Sequence, residues 1–235
     1  MTKDEYTDKI ETIGFEEFPY FIVGHEKCLN EIVDFDRTDL QLKIHLAEVI
    51  ICRCFSATGG IYFPADSKWF ITNFLRFYKN DIPKPWLTSA IREAVEMILS
   101  EDAFTKGVIG TTFMFGIVEF YAKHLLGYRP MAFDFFDKDS HSKFRSMFIG
   151  DAINKLKRTN TEIAKSLNRI DKHCIERLKE VGIEEQRWTV AKISDRLTLS
   201  RNTMLHGENH NFYDKGEYLI MLYILFYLYD TTSNS

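Results

Sequence analysis

The chain has 235 residues, 45% of them apolar and 27% charged, with a formal net charge of −4. This composition excludes a disordered chain and is long enough to bury a full core, as one large domain or two small ones. The negative balance excludes a protein that coats nucleic acid by bulk charge, though not one that grips a few phosphates locally.

Five prolines and twelve glycines suit long helices joined by short connections. In chain order, residues 5–13 fit a short helix, and residues 18–23 read as extended up to Gly24. Thr38 is a good N-cap for a helix over 39–55. Gly59 and Gly60 break the pattern, and residues 61–63 read as extended before Pro64. Asp66 or Ser67 opens a helix through Tyr78; Pro83 and Pro85 mark a turn; residues 86–100 return to helical spacing.

From Phe104 the helical signal strengthens. Residues 108–126 form a long apolar run, with Glu119 and Lys123 in the favourable i,i+4 order, ended by Gly127 to Pro130. After a loop over 131–139, Ser140 can cap a helix that includes Phe144, Met147, Phe148, Ala152, Ile153 and Leu156. Residues 161–181 continue helically to Gly182, and residues 184–205 form a further helix with Trp188, Ala191, Ile193 and Leu197 among its apolar positions. Residues 214–229 form the last. Its segment from Tyr218 to Tyr229 is apolar on all sides, too short to span a bilayer, and rich in tyrosine. A soft boundary near residues 100–106 separates an N-terminal region, 1–103, from a C-terminal one, 104–235.

The chemistry-bearing stretch is Arg201-Asn202-Thr203-Met204-Leu205-His206, followed by Gly207. Arginine holds phosphate with a planar, always-charged fork. Histidine moves a proton near neutral pH. The pair therefore suits cleavage of a phosphodiester. Asn202 can fix the histidine tautomer or orient a phosphate oxygen. Positions five apart on an ideal helix differ by about 140°, so one straight helix does not aim Arg201 and His206 at one point. Local unwinding near Gly207, or two chains meeting symmetrically, would do so. The bland alternative is a helix terminus in which Arg201 pairs with Asp195 or Glu208 and His206 caps C-terminal carbonyls.

Around this stretch, residues 104–229 resemble HEPN domains, small all-helical domains marked by Arg, four to six residues, then His. Asn202 matches the polar residue the family favours after the arginine, Gly207 matches the glycine that often follows the histidine, and the order of helices agrees. Some toxin members carry a tyrosine two residues after the histidine; here that position is Glu208, so a partner that modifies such a tyrosine is not expected. The resemblance implies a C-terminal HEPN-like helical bundle with a mostly helical N-terminal extension. It also implies a metal-independent endoribonuclease acting at a composite site between two subunits, with Arg201, Asn202 and His206 as catalytic residues. By the same analogy the chain would be a toxin or antiviral-defence effector with RNA as substrate and an antitoxin or other regulatory partner. The alternatives are a non-catalytic HEPN-like dimerisation or interaction module and a nucleotide-binding protein.

Other patterns are weaker. His206 and His210 stand at i,i+4 without the zincin order of glutamate, so no metal site is expected there, and no cofactor motif is present. A basic run, Lys155, Lys157, Arg158, Lys165, Arg169, Lys172, Arg177 and Lys179, reads as a solvated helix face before it reads as an RNA track. The charged N-terminus lacks an apolar leader, and the four cysteines fit reduced thiols, so a cytoplasmic location is expected. The all-round apolar last helix points to a homodimer that would cover it.

Overall fold

A computed structural model describes residues 40–56, 64–77, 85–100, 104–127, 147–180, 192–205 and 216–233. Among these residues the regular structure is entirely helical, so the chain is mainly α, as the periodicity predicts. The helices are α1 (Leu40–Ser56), α2 (Pro64–Phe77), α3 (Pro85–Leu99), α4 (Phe104–Leu125), α5 (Ile149–Lys157), α6 (Glu162–Glu180), α7 (Ile193–Leu205) and α8 (Glu217–Ser233). The expected helix at 5–13 and the extended segments at 18–23 and 61–63 lie outside the described residues.

Several boundaries differ from the sequence pattern for identifiable reasons. Helix α2 starts at Pro64, ahead of Asp66, because proline has no N–H to lose in the first turn and its fixed φ already suits a helix. Met147 and Phe148 precede α5 and do not belong to it. Phe148 is its N-cap, with extended φ −86° and ψ 169°. Residues 158–161 interrupt what the spacing reads as helical continuity: Thr159 donates to the Leu156 carbonyl at 2.7 Å, and Thr161 Oγ1 accepts the Ala164 N–H at 3.4 Å to open α6. Helix α8 begins at Glu217 and not at Asp214, because Gly216 before it takes φ +73°, a left-handed conformation that cannot continue a right-handed helix.

The core is organised around α8. Every residue from Tyr218 to Tyr229 is buried. The helix packs against α1, α2, α3, α4 and α6, so a helix with no polar face has neighbours on all sides. This corrects the reason given above for a homodimer: the chain covers its own last helix, and α8 leaves no apolar excess for a second copy. Tyr223 is among the largest fully buried side chains and meets Tyr121 edge-on at 5.5 Å. One continuous apolar cluster runs from Ile44 through Phe70, Ile91 and Val118 to Tyr229, and so draws on both sides of the sequence boundary at 103/104. No helix among the described residues is long and apolar enough to cross a membrane.

The three helices α5, α6 and α7 form a second group, in which α5 and α7 also pack against α4 and α6 against α1. Their packing sets the position of the motif arginine.

Candidate functional site

Helix α7 carries Arg201, and its first turn is fixed from another helix. The buried Asp171 carboxylate on α6 accepts the Ile193 N–H at 2.9 Å and also holds the Lys157 ammonium of α5. A carboxylate at an amino terminus satisfies one of the four unpaired donors there and complements the helix dipole. This cap explains why the motif helix starts at Ile193. Lys192 lies in a bend, so the expected continuous helix from 184 does not run through it; residues 184–191 lie outside the described residues.

Ser194, Thr198 and Arg201 recur at i, i+4 and i+7, which places them on one face of α7. That face lies against the start of α5. Gly150 makes the approach possible: a Cβ there would stand 2.1 Å from Thr198 Oγ1 and 3.0 Å from the Ser194 carbonyl oxygen. With the helices this close, the Arg201 guanidinium lies over the Phe148 ring, 4.9 Å from its centroid. This is a cation–π contact.

On its other side Arg201 faces α4. Its Nε stands 3.9 Å from Glu119 Oε2, an ion pair too long for a hydrogen bond. Glu119 is engaged more closely by Lys123, whose ammonium is 2.7 Å from Oε1, the i,i+4 pair expected from the sequence. Among the described residues the carboxylate beside Arg201 is Glu119 and not Asp195. Asp195 accepts from the Ser194 hydroxyl at 3.4 Å, and Glu208 lies outside the described residues. The Arg201 side chain is 25% exposed, and Asn202 is exposed. His206 and Gly207 lie outside the described residues. The structure therefore brings Arg201 together with Phe148 and with Glu119, which Lys123 also engages. Sequence reasoning assigned Phe148 to a helical apolar face and missed its place beside Arg201; no local signal marks an N-cap phenylalanine as exposed.

Four of the eight residues in the basic run meet carboxylates. Lys157 meets Asp171, Lys165 meets Glu162 at 2.5 Å, Lys172 meets Glu176 at 3.7 Å, and Arg169 donates to the buried Glu48 through Nη2 at 2.6 Å and Nε at 3.1 Å. The Glu48 hydrogen bond, set against the cost of burial, raises the pKa of Arg169 further. Arg169 and Glu48 border a cleft of about 750 Å³ whose walls include His45, Leu125, Thr161 and Tyr229. Between α4 and α8, Tyr121 donates to Asp230 at 3.1 Å, and His124 Nε2 stands 3.7 Å from the same carboxylate oxygen. Burial and then the Asp230 charge push the Tyr121 hydroxyl well above the usual phenol range.

Cys52, Cys54 and Cys174 are buried and form no disulfide, while Cys28 lies outside the described residues. Burial foremost, then neighbouring Cys174 and Glu48, pushes the Cys52 thiol up, so it is held as the unreactive thiol. No group of metal-ligating side chains gathers among the described residues; His206 and His210 are not among them. Comparison with known protein families, curated proteins and solved structures finds no match to this chain.

Proposed function

We propose that the chain is a metal-independent endoribonuclease of HEPN type, with Arg201, Asn202 and His206 at its centre. The observation that carries this reading is the setting of Arg201. The guanidinium rests on an aromatic face, has a carboxylate close enough to orient it, and spends no hydrogen bond on that carboxylate among the described residues. A guanidinium held in this way can direct its N–H donors to an anion, the arrangement that stabilises charge developing in a transition state. The exposed Asn202 lies next to it in sequence.

In this reading the RNA 2′-oxygen attacks phosphorus and the bond from phosphorus to the 5′-oxygen breaks. One histidine accepts the 2′-hydroxyl proton, and a second proton is delivered to the leaving 5′-oxygen. A pair of chains would supply both groups, since each has one motif histidine. The same analogy gives the biological role: a toxin or antiviral-defence effector in the cytoplasm, restrained by an antitoxin or regulatory partner.

The test is the nature of the products. Purified protein in EDTA should leave 2′,3′-cyclic phosphate or 3′-phosphate ends on RNA and leave DNA intact. Cleavage of DNA, or activity restored only by a divalent ion, contradicts the reading. One observation favours the alternative of a non-catalytic interaction module: Glu119 offsets part of the Arg201 charge. That module would bind a partner through this face and leave RNA intact.

A further inference from the structure

Among the described residues, neither capping nor core packing accounts for the position of Phe148. It is the N-cap of α5, yet it makes no capping hydrogen bond, where Ser, Thr, Asp or Asn would make one. Its neighbours Met147 and Ile149 are buried, while its own side chain is among the most exposed large apolar groups, at 52%. Lone apolar residues on a surface are common. This one differs because the arginine of the candidate site lies against its ring. A ring with a cation over it and about half of its surface exposed is suited to an unstacked base, since every base has a flat face and stacking tolerates any sequence.

We propose that Phe148 is the stacking platform for a base of single-stranded RNA whose backbone phosphate is held by Arg201. The inference rests on the RNA reading above and gives it a substrate class. A base within a duplex is already stacked on its neighbours and has no free face to offer. The substrate is therefore unpaired at the site, in a loop, bulge or single strand. It also gives Phe148 a role separate from the chemistry: the ring holds the nucleotide and takes no part in proton transfer. Because stacking does not read base edges, little sequence preference follows from this contact.

The test separates the platform from the enzyme. Binding of a short 2′-O-methyl oligoadenylate, which has no free 2′-hydroxyl and cannot be cleaved, is measured by fluorescence anisotropy. The measurement is repeated with the same backbone carrying abasic residues throughout. Phe148→Ala should weaken binding of the base-bearing oligomer roughly five- to a hundred-fold, the usual range for one lost stacking contact. Phe148→Trp should retain the affinity. On the abasic backbone, wild type and Phe148→Ala should bind alike. Leu199→Ala removes a second apolar side chain exposed to the same degree on α7, and it should change neither measurement.

Equal affinity of wild type and Phe148→Ala for the base-bearing oligomer overturns the proposal. An equal loss on both oligomers also overturns it, because Phe148 would then act only by holding Arg201. If wild type binds neither oligomer, single-stranded nucleic acid is not the ligand and the underlying RNA reading falls too. If both oligomers bind but RNA is never cleaved, the platform stands and the ribonuclease reading alone fails. Phe148 is exposed, so Phe148→Ala should keep the fold; unchanged helical circular dichroism checks this, and Phe148→Trp supplies a variant that keeps the ring.

Discussion

At the scale of single residues, burial sets the behaviour of Glu217. It sits in the first turn of α8, where the helix dipole favours a negative charge. Even so, it is buried, and desolvation pushes its carboxyl up from 4.5 to about 7. The Ser67 hydroxyl donates to it at 3.3 Å, a long bond that does not offset the loss of water. A group whose folded pKa is raised stabilises the fold fully below its unfolded pKa, and that contribution is lost as pH rises to the folded value. Stability should therefore decline between about pH 4.5 and 7 and level off above. Glu217→Gln should flatten this segment and raise stability at pH 8 by roughly 1–3 kcal/mol. Urea denaturation midpoints across that range check it; parallel curves for the two proteins would refute it. From the sequence, Glu217 reads as an ordinary helix-start acid. Its burial follows from α2 and α4 closing over the start of α8, and no local pattern encodes that.

The residues at the motif were legible to different degrees. Arg201 stands out because its chemistry is strong and its neighbour is Asn202. The Glu119–Lys123 pair is legible because i,i+4 spacing places both on one helix face. The contact of Glu119 with Arg201 is not, since it joins positions far apart in the chain and depends on how α7 crosses α4. Phe148 was hidden for the same reason, compounded by its apolar type, which normally means core.

At the scale of elements, α5 and α7 act as one unit that positions Arg201. Gly150 is the point of closest approach, and the cost of filling it is predictable. Gly150→Ala forces its new methyl against Thr198 and should destabilise the fold by about 1–3 kcal/mol, as overpacking does. Adding Thr198→Ala should recover part of that loss, because it removes the nearest atom while the Ser194 carbonyl stays close. Thermal melts of the single and double variants decide this; an additive double variant would contradict it. Asp171 is the second fixed point. Asp171→Ala removes the α7 cap, worth about 1 kcal/mol, and also strands the mostly buried Lys157 ammonium, a larger penalty. Asp171→Asn keeps an acceptor for the Ile193 N–H and should be the milder change. Equal melts for the two variants would show that the acceptor for the Ile193 N–H contributes nothing.

Helices themselves were legible wherever apolar spacing was long and regular, as in α1, α3, α4, α6 and α8. Their starts were less so. The pattern that places a helix at 184 sees the same apolar period on both sides of Lys192, but the actual start is set by a carboxylate on another helix. The start of α8 is set by the backbone at Gly216, where the Thr111 side chain packs against the space a Cβ would need.

At the scale of the whole molecule, α1 has the most to say about organisation. It comes from the first 103 residues, yet it packs on α8 and α6 of the C-terminal region. Its Val49, Ile50 and Ile51 are fully buried in the shared core, and its Glu48 receives Arg169 from α6. A fragment of residues 104–235 would expose one side of an α8 that has no polar face. It should lose cooperative unfolding or aggregate, whereas the full chain melts in a single transition. A fragment that folds with a sharp melt would show that the C-terminal region stands alone. The apolar character of α8 was plain in the sequence, but which surface covers it was not, because hydrophobicity carries no information about partners. The structure places the cover within the chain, so any pairing of two copies must use another face.

The central claim is that Arg201 and His206 divide phosphate stabilisation and proton transfer between them. Its most direct test is cleavage of single-stranded RNA in EDTA by wild type, Arg201→Ala and His206→Ala, each checked for an unchanged melt. Wild type should cleave, and each variant should lose roughly two to four orders of magnitude in rate while staying folded. Equal cleavage by the three folded proteins would contradict the claim, as would the absence of any cleavage by wild type.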